Sequence, residues 1–197
     1  MSSIKIQKAD ITTLNTDAIV NAANPQLSYG GGVCGAIFRA AGVSKMTEAC
    51  EAIGGCRTGN AVITPGFDLP AKYVIHAVGP MWHGGNSNED QMLYGAYYHA
   101  LAVARQYNCH SVAFPLISAG IYGFPVELAW VAGLRACRDF IKANADFDMH
   151  VFFAVLDDDI KASGDAAKLV MDQMDSQVML QGLVASDRRD KDEGEKE

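Results

Sequence analysis

Apolar and polar positions along this 197-residue chain change period repeatedly, and each change predicts an element. Ile4–Gln7 and Ala18–Asn21 read as short strands, the second a nearly continuous apolar run of the kind buried on both faces. Val33, Ala36, Ile37, Ala40 and Ala41 then recur at helical spacing, with Gly42 as the stop. Ser44 is placed to cap a further short helix through Ile53. Ala61–Thr64 and Tyr73–Ala77 read as strands around a turn at Pro65 and Gly66. Met92, Leu93, Ala96, Tyr97, Ala100, Leu101 and Ala104 share one face of the clearest helix. A strand over Ser111–Leu116, a glycine-rich loop and a helix along Trp130, Leu134, Cys137 and Ile141 follow. Strand Val151–Leu156 precedes a last helix, whose inner side is expected at Ala166, Leu169, Val170, Gln173 and Met174.

Strands separated by helices imply an α/β layered fold with a largely parallel sheet. Length supports one domain with a sizeable core, over residues 1–181. Residues 182–197 are a different matter. From Ser186 to Glu197 ten of twelve residues are charged and none is apolar. A charged, disordered tail is expected there, because such a segment has no apolar surface to bury.

Charge removes some function classes. Sixteen Lys and Arg against 23 Asp and Glu leave a formal net charge of −7. Bulk nucleic-acid binding needs the opposite sign. An acidic chain still holds a small anion if backbone N–H groups do the work, and 19 glycines point that way. No apolar stretch has signal-peptide or membrane-spanning character, so a cytoplasmic protein without a membrane partner is expected. The five cysteines form no C-x-x-C pair, which reads as reduced thiols rather than a disulfide framework or zinc site.

Two loops carry the candidate chemistry. The first, after the Ala18–Asn21 strand, includes Gly30-x-Gly32-x-x-Gly35, formally a dinucleotide fingerprint. Its approach loop is too long for that strand-to-helix turn, which weakens a nicotinamide-dinucleotide oxidoreductase reading. The second is Ser118-Ala119-Gly120-Ile121-Tyr122-Gly123. Small residues let backbone approach phosphate oxygens, and successive N–H groups make an anion nest. Both loops leave strands and enter helices, so a shared diphosphate site is the expectation.

ADIT at 9–12, VNAAN at 20–24, GGGVCGAI at 30–37, VIHAVGP at 74–80 and PLISAGIYG at 115–123 resemble, in order and interval, the macrodomain family. The likeness runs over roughly residues 1 to 180 and is nearest the bacterial O-acetyl-ADP-ribose deacetylase and MacroD-type branch. It implies a three-layer α/β/α sandwich with a mixed central sheet and ADP-ribose bound at the strand ends. By that resemblance Asp10 accepts from the adenine amine, with Ile11 beside it; read alone, Asp10 is an N-cap or Asx-turn residue. Leu156 stands where many relatives carry an adenine-stacking aromatic; read alone, it is core.

Gly31, Gly32 and Val33, with Ser118, Ala119, Gly120, Ile121 and Tyr122, would wrap the diphosphate and distal ribose. Asn24 would face that ribose and place a water, while His76 reads as structural. At Cys34 the sequence departs from the MacroD-type pattern, which has aspartate there and histidine at the place of Phe38. Hydrolysis of ADP-ribosyl esters, with Asn24 and Cys34 at the catalytic corner, is the leading expectation. A reader that binds ADP-ribose without turnover is the alternative. No metal or redox cofactor is implied, and the partners are ADP-ribose or an ADP-ribosylated protein or small molecule.

Overall fold

The computed structural model describes the backbone of residues 1–194 and side chains through Ala185. Strands β1 (Ser3–Lys8), β2 (Ala18–Ala22), β3 (Ala61–Pro65), β4 (Tyr73–Ala77), β5 (Ser111–Phe114) and β6 (His150–Val155) form one sheet in the order β1-β6-β5-β2-β4-β3. All neighbours are parallel except the edge pair β3–β4. β2 lies inside the sheet, and Ala18 to Asn21 are fully buried, as a two-sided apolar run requires. β5 stops at Phe114, two residues early, because Pro115 has no N–H for the ladder.

Helices cover both faces. α1 (Gly32–Ala41) and α2 (Val43–Ile53) lie on one, over Ile19, Val74 and Ala113. α3 (Glu89–Gln106), α4 (Val126–Ala143) and α5 (Asp158–Gly194) lie on the other, over Val20, Phe114 and Phe153. The sequence-derived faces of α3 and α4 hold, except that Met92 turns outward. Gly42 ends α1 with φ +104 and also starts α2, so Ser44 is not that helix's cap.

Two expectations are corrected. Ala166, Leu169, Val170, Gln173 and Met174 are the exposed side of α5, not its inner side. The packed side is Ile160, Gly164, Ala167 and Met171. Small residues belong there because a Cβ at Gly164 would sit 2.6 Å from the Trp130 ring. Trp130 Nε1 in turn donates to the Ile160 carbonyl (3.0 Å). The backbone of 182–194 is helical, continuing α5, rather than a disordered tail. From Ser186 on, composition offers no apolar surface to bury, while Arg188, Arg189, Lys191 and Glu193 are compatible with a helix. The end of that expected tail, 195–197, lies outside the described residues.

The parallel strands bring the ends of β1, β6, β5, β2 and β4 to one rim. β5 and β2 are neighbours, yet β5 feeds α4 on one face and β2 feeds α1 on the other. The chain therefore parts between them and leaves a crevice at that rim, the usual ligand position in such sheets.

Candidate functional site

A cleft of about 670 Å³ fills this crevice. All thirteen sequence-selected residues line it: Asp10, Ile11, Asn24, Gly31, Gly32, Val33, Cys34, Ser118, Ala119, Gly120, Ile121, Tyr122 and Leu156. Among the described residues no Lys or Arg lines it. An anion held here meets backbone N–H groups and neutral side chains such as Ser118 and Tyr122 rather than a cation.

The first loop ends at the N-terminus of α1. Gly31 takes the N-cap position with no side-chain hydrogen bond, and the first turn has no acidic residue. The first intrahelical bond there runs from the Gly35 N–H to the Gly31 carbonyl (3.2 Å). The first-turn N–H groups therefore face the cleft with the positive end of the helix dipole. Gly35 is glycine for steric reasons: a Cβ would sit 2.6 Å from the Gly30 carbonyl oxygen.

The second loop is tighter. Gly123 N–H donates to the Gly120 carbonyl (3.0 Å) and Phe124 N–H to the Ser118 carbonyl (2.9 Å). Ser118 sits at φ +66, unusual for a side-chain-bearing residue. Its hydroxyl is buried without a partner among the described residues. That hydroxyl lies against Gly79, where a Cβ would collide with Ser118 Oγ and Ile117 Cγ2. Trp82 N–H donates to the Tyr122 carbonyl (2.8 Å) and braces the outer end of the loop.

The opposite end of the cleft is acidic. Asp10 caps a 3-10 turn at Ile11–Thr13, its Oδ1 accepting from Thr12 N–H (3.0 Å) and Thr12 Oγ1 (2.7 Å). The Asx reading thus describes one carboxylate oxygen, and the residue still borders the cleft. Leu156 is 69% exposed, so its reading as core is corrected. It follows the last residue of β6 and forms a lip. Asp157 and Ile160 join this wall. Asp157 Oδ1 accepts from the Ile160 N–H (2.9 Å) and caps α5.

The corner around Asn24 and Cys34 is occupied by internal bonds. Asn24 Oδ1 accepts from Ser28 N–H (3.0 Å) and Ser28 Oγ (3.2 Å), and its Nδ2 donates to the Ser28 carbonyl (3.2 Å). Asn24 thus ties its own loop while lining the cleft. Cys34 Sγ is 3.8 Å from the Ser28 carbonyl and 3.6 Å from Asn21 Nδ2. Beneath it, Asn21 Nδ2 lies 3.1 Å from His76 Nδ1, and Thr64 Oγ1 lies 2.9 Å from His76 Nε2. Burial pushes His76 down to about 4, so this ring is neutral and structural, as a histidine inside a strand should be. Phe38 is fully buried, stacked on Tyr29 at 5.5 Å and outside the cleft.

Sequence reasoning did not select Gly79, Asp157 or Ile160. A glycine just beyond β4 and an acidic residue just beyond β6 were the available signals, since rim positions follow strand ends. Among the described residues no group of three or more His, Cys, Asp and Glu is placed to hold a metal. No helix there is long and apolar enough to cross a membrane.

The Macro domain family profile matches residues 20–132. A Macro domain-containing protein of Ralstonia nicotianae is 53% identical over 150 residues, covering 76% of this chain and 85% of that one. The O-acetyl-ADP-ribose deacetylase of Escherichia fergusonii is 46% identical over 162 residues, covering 80% and 90%. Among solved structures, the Oceanobacillus iheyensis macrodomain with ADP superposes with a TM-score of 0.82 at 32% identity, covering 87% of this chain and 93% of its own. A variant of that protein was solved with ADPR, also at a TM-score of 0.82.

Proposed function

This chain belongs to the Macro domain family, and from that premise we propose that its cleft binds ADP-ribose and turns over ADP-ribosyl esters. The observation that carries the binding reading is the polarity of the cleft. An uncapped helix N-terminus and a second glycine loop face its centre, and Asp10 stands at one end. A diphosphate suits the first pair and an adenine amine suits the carboxylate. Leu156 covers the ring without the π-face an aromatic would add. The printed ligands of the Oceanobacillus protein, ADP and ADPR, have this chemistry.

Hydrolysis is the finer reading. Water adds to the acyl carbon, and the bond between acyl group and ribosyl oxygen breaks. The ribosyl oxygen leaves as a hydroxyl by taking back the proton that the water gave up, while the carboxylic acid formed loses its own proton to solvent. The water's proton passes to the ligand's own diphosphate, because the Asn24–Cys34 corner supplies no carboxylate. Catalysis then rests on placing the water rather than on a strong base. Slow turnover follows. The Escherichia relative's name supports this class of reaction.

The binding-only alternative rests on the same fact, that position 34 holds a thiol already engaged with Asn21 and Ser28. The deciding experiment gives the protein O-acetyl-ADP-ribose and a protein mono-ADP-ribosylated on Asp or Glu, beside a Cys34→Asp variant. Slow release by the natural chain, raised at least tenfold by Cys34→Asp, is expected. Full retention of label by both proteins, with tight ADP-ribose binding in calorimetry, establishes the reader instead.

A further inference from the structure

The loop between β4 and α3 ends on a buried charge that lies outside the cleft. Residues 83–88 are all exposed, with Gly84 at φ +96, Gly85 at φ +89 and Asn88 at φ +58. Such a segment has little apolar burial to hold it in place. Glu89, the first residue of α3, is only 1% exposed and reaches back into it. Its Oε2 accepts from the His83 N–H (3.0 Å) and the Gly85 N–H (2.7 Å), and its Oε1 from the Ser87 N–H (2.6 Å). A buried carboxylate persists only when its oxygens are satisfied, and here the loop backbone satisfies them rather than a cation. The His83 N–H foremost, with those of Gly85 and Ser87, holds this carboxyl below the ordinary carboxylate range, so it is ionised at neutral pH.

The held loop leads directly to the cleft. A Cβ at Gly85 would sit 2.9 Å from the Trp82 ring, so the backbone that Glu89 fixes lies against that indole. The Trp82 N–H donates to the Tyr122 carbonyl (2.8 Å), and the Trp82 ring packs on Phe124 with centroids 4.8 Å apart. Tyr122 and Phe124 stand on either side of Gly123, at the outer end of the second glycine loop. Tyr122 lines the cleft, whereas Trp82 and Glu89 stand behind it.

We propose that Glu89 is a positioning residue for the distal-ribose end of the cleft. Its carboxylate sets the backbone at 83–87, that backbone seats Trp82, and Trp82 seats Tyr122. The proposal rests on the cleft being an ADP-ribose site, and it adds a direction. The bonds and ring contacts traced from Glu89 end at Tyr122 and Phe124. At the other end, Asp10 is fixed by Thr12 and Leu156 follows β6. Loss of the carboxylate is therefore felt by a ligand that carries the distal ribose and not by one that stops at the diphosphate.

The test compares ADP-ribose with ADP, which lacks the distal ribose, by calorimetry on the full chain, Glu89→Gln and Glu89→Ala. Glutamine keeps one acceptor oxygen and turns an amide donor toward the remaining N–H, whereas alanine removes every acceptor. ADP-ribose affinity is expected to fall about tenfold in Glu89→Ala and less in Glu89→Gln, with ADP within about twofold in both. The chain has two tryptophans, Trp82 and Trp130. Fluorine NMR on 5-fluorotryptophan protein, assigned with Trp82→Phe, should show the Trp82 signal moving in both variants. The Trp130 signal should stay, as it does in a retained fold. Equal losses for the two ligands overturn the proposal in favour of a role in folding alone, and an unmoved Trp82 signal or an unchanged affinity ratio also overturns it. If Glu89→Ala does not fold, Glu89→Gln decides by the same ratio. A natural chain that binds neither ligand overturns the ADP-ribose reading of the cleft, and the brace with it.

Discussion

Helices α1 and α5 both begin at the same cleft, and their first turns are finished in opposite ways. α1 starts on Gly31, with no side chain over its first N–H groups and no acidic residue near them. Its dipole, equivalent to about half a positive charge, is left for whatever enters. α5 starts on Asp157, which takes the Ile160 N–H, and continues with Asp158 and Asp159. Those carboxylates spend the same field internally. A helix end is therefore not a site by virtue of being a helix end; the cap residue decides. The contrast also gives the cleft a direction. A ligand with an anionic middle and a hydrogen-donating end enters one way round.

The sharpest way to break this comparison is to finish α1 as α5 is finished. In Gly31→Asp the new side chain enters open space from an extended backbone at φ −89, the conformation an N-cap needs. ADP-ribose affinity is expected to fall about 100-fold, near 3 kcal/mol. Thermal stability should rise, since the new cap contributes about 1 kcal/mol. Calorimetry and a melting curve read both signs. Unchanged affinity would show that the α1 turn does not hold the anion.

Acid should separate the two sides next. His76 lies beneath the α1 side, and burial pushes it down to about 4 from its ordinary 6.5. Folding holds the ring neutral, so its contribution is whole above pH 6.5 and is lost as pH falls toward 4. The loss is on the order of 3 kcal/mol by proton linkage. Urea unfolding at stepped pH should show a steep decline that flattens in His76→Gln. Equal slopes in the two proteins would assign acid sensitivity elsewhere.

Gly79→Ala tests the floor of the second loop. The methyl meets Ser118 Oγ and Ile117 Cγ2, and overpacking of this kind costs about 1–3 kcal/mol. A lower midpoint in denaturant together with weaker ADP-ribose binding is expected. A drop in stability with affinity intact would separate Ser118 from the ligand. The smallest effect is expected at the α5 end. Asp157→Ala removes a cap worth about 1 kcal/mol, and affinity should change by less than about threefold. A large loss of binding there would mean that the acidic end grips the ligand more than the comparison allows.

Much of the rim was legible because its signals are local. Glycines at 30–32 and 120, placed after apolar strand patterns and before helical ones, announce a backbone-lined pocket by chemistry alone. The buried runs of β2 and β4 were legible for the same reason. The face of α5 was not. Ranking by hydrophobicity selects Leu169, Val170 and Met174, whereas close approach to Trp130 demands Gly164 and Ala167. Shape outweighs apolarity where two helices touch. Leu156 misled in the same sense, since its identity suggests core and its place after a strand end puts it on a lip.

The sequence by itself determined the alternation of strands and helices, the two glycine loops and the lack of Lys or Arg within those loops at 24–32 and 118–123. These follow from periodicity and backbone freedom, which each segment carries alone. Only the tertiary structure decided that β2 and β5 lie side by side with their helices on opposite faces, which opens the cleft. It also decided that Asn24 and Cys34 are bound to Ser28, and that α5 turns small residues inward and large ones out. Those outcomes depend on which surfaces meet across the sheet, and no single segment encodes its neighbour.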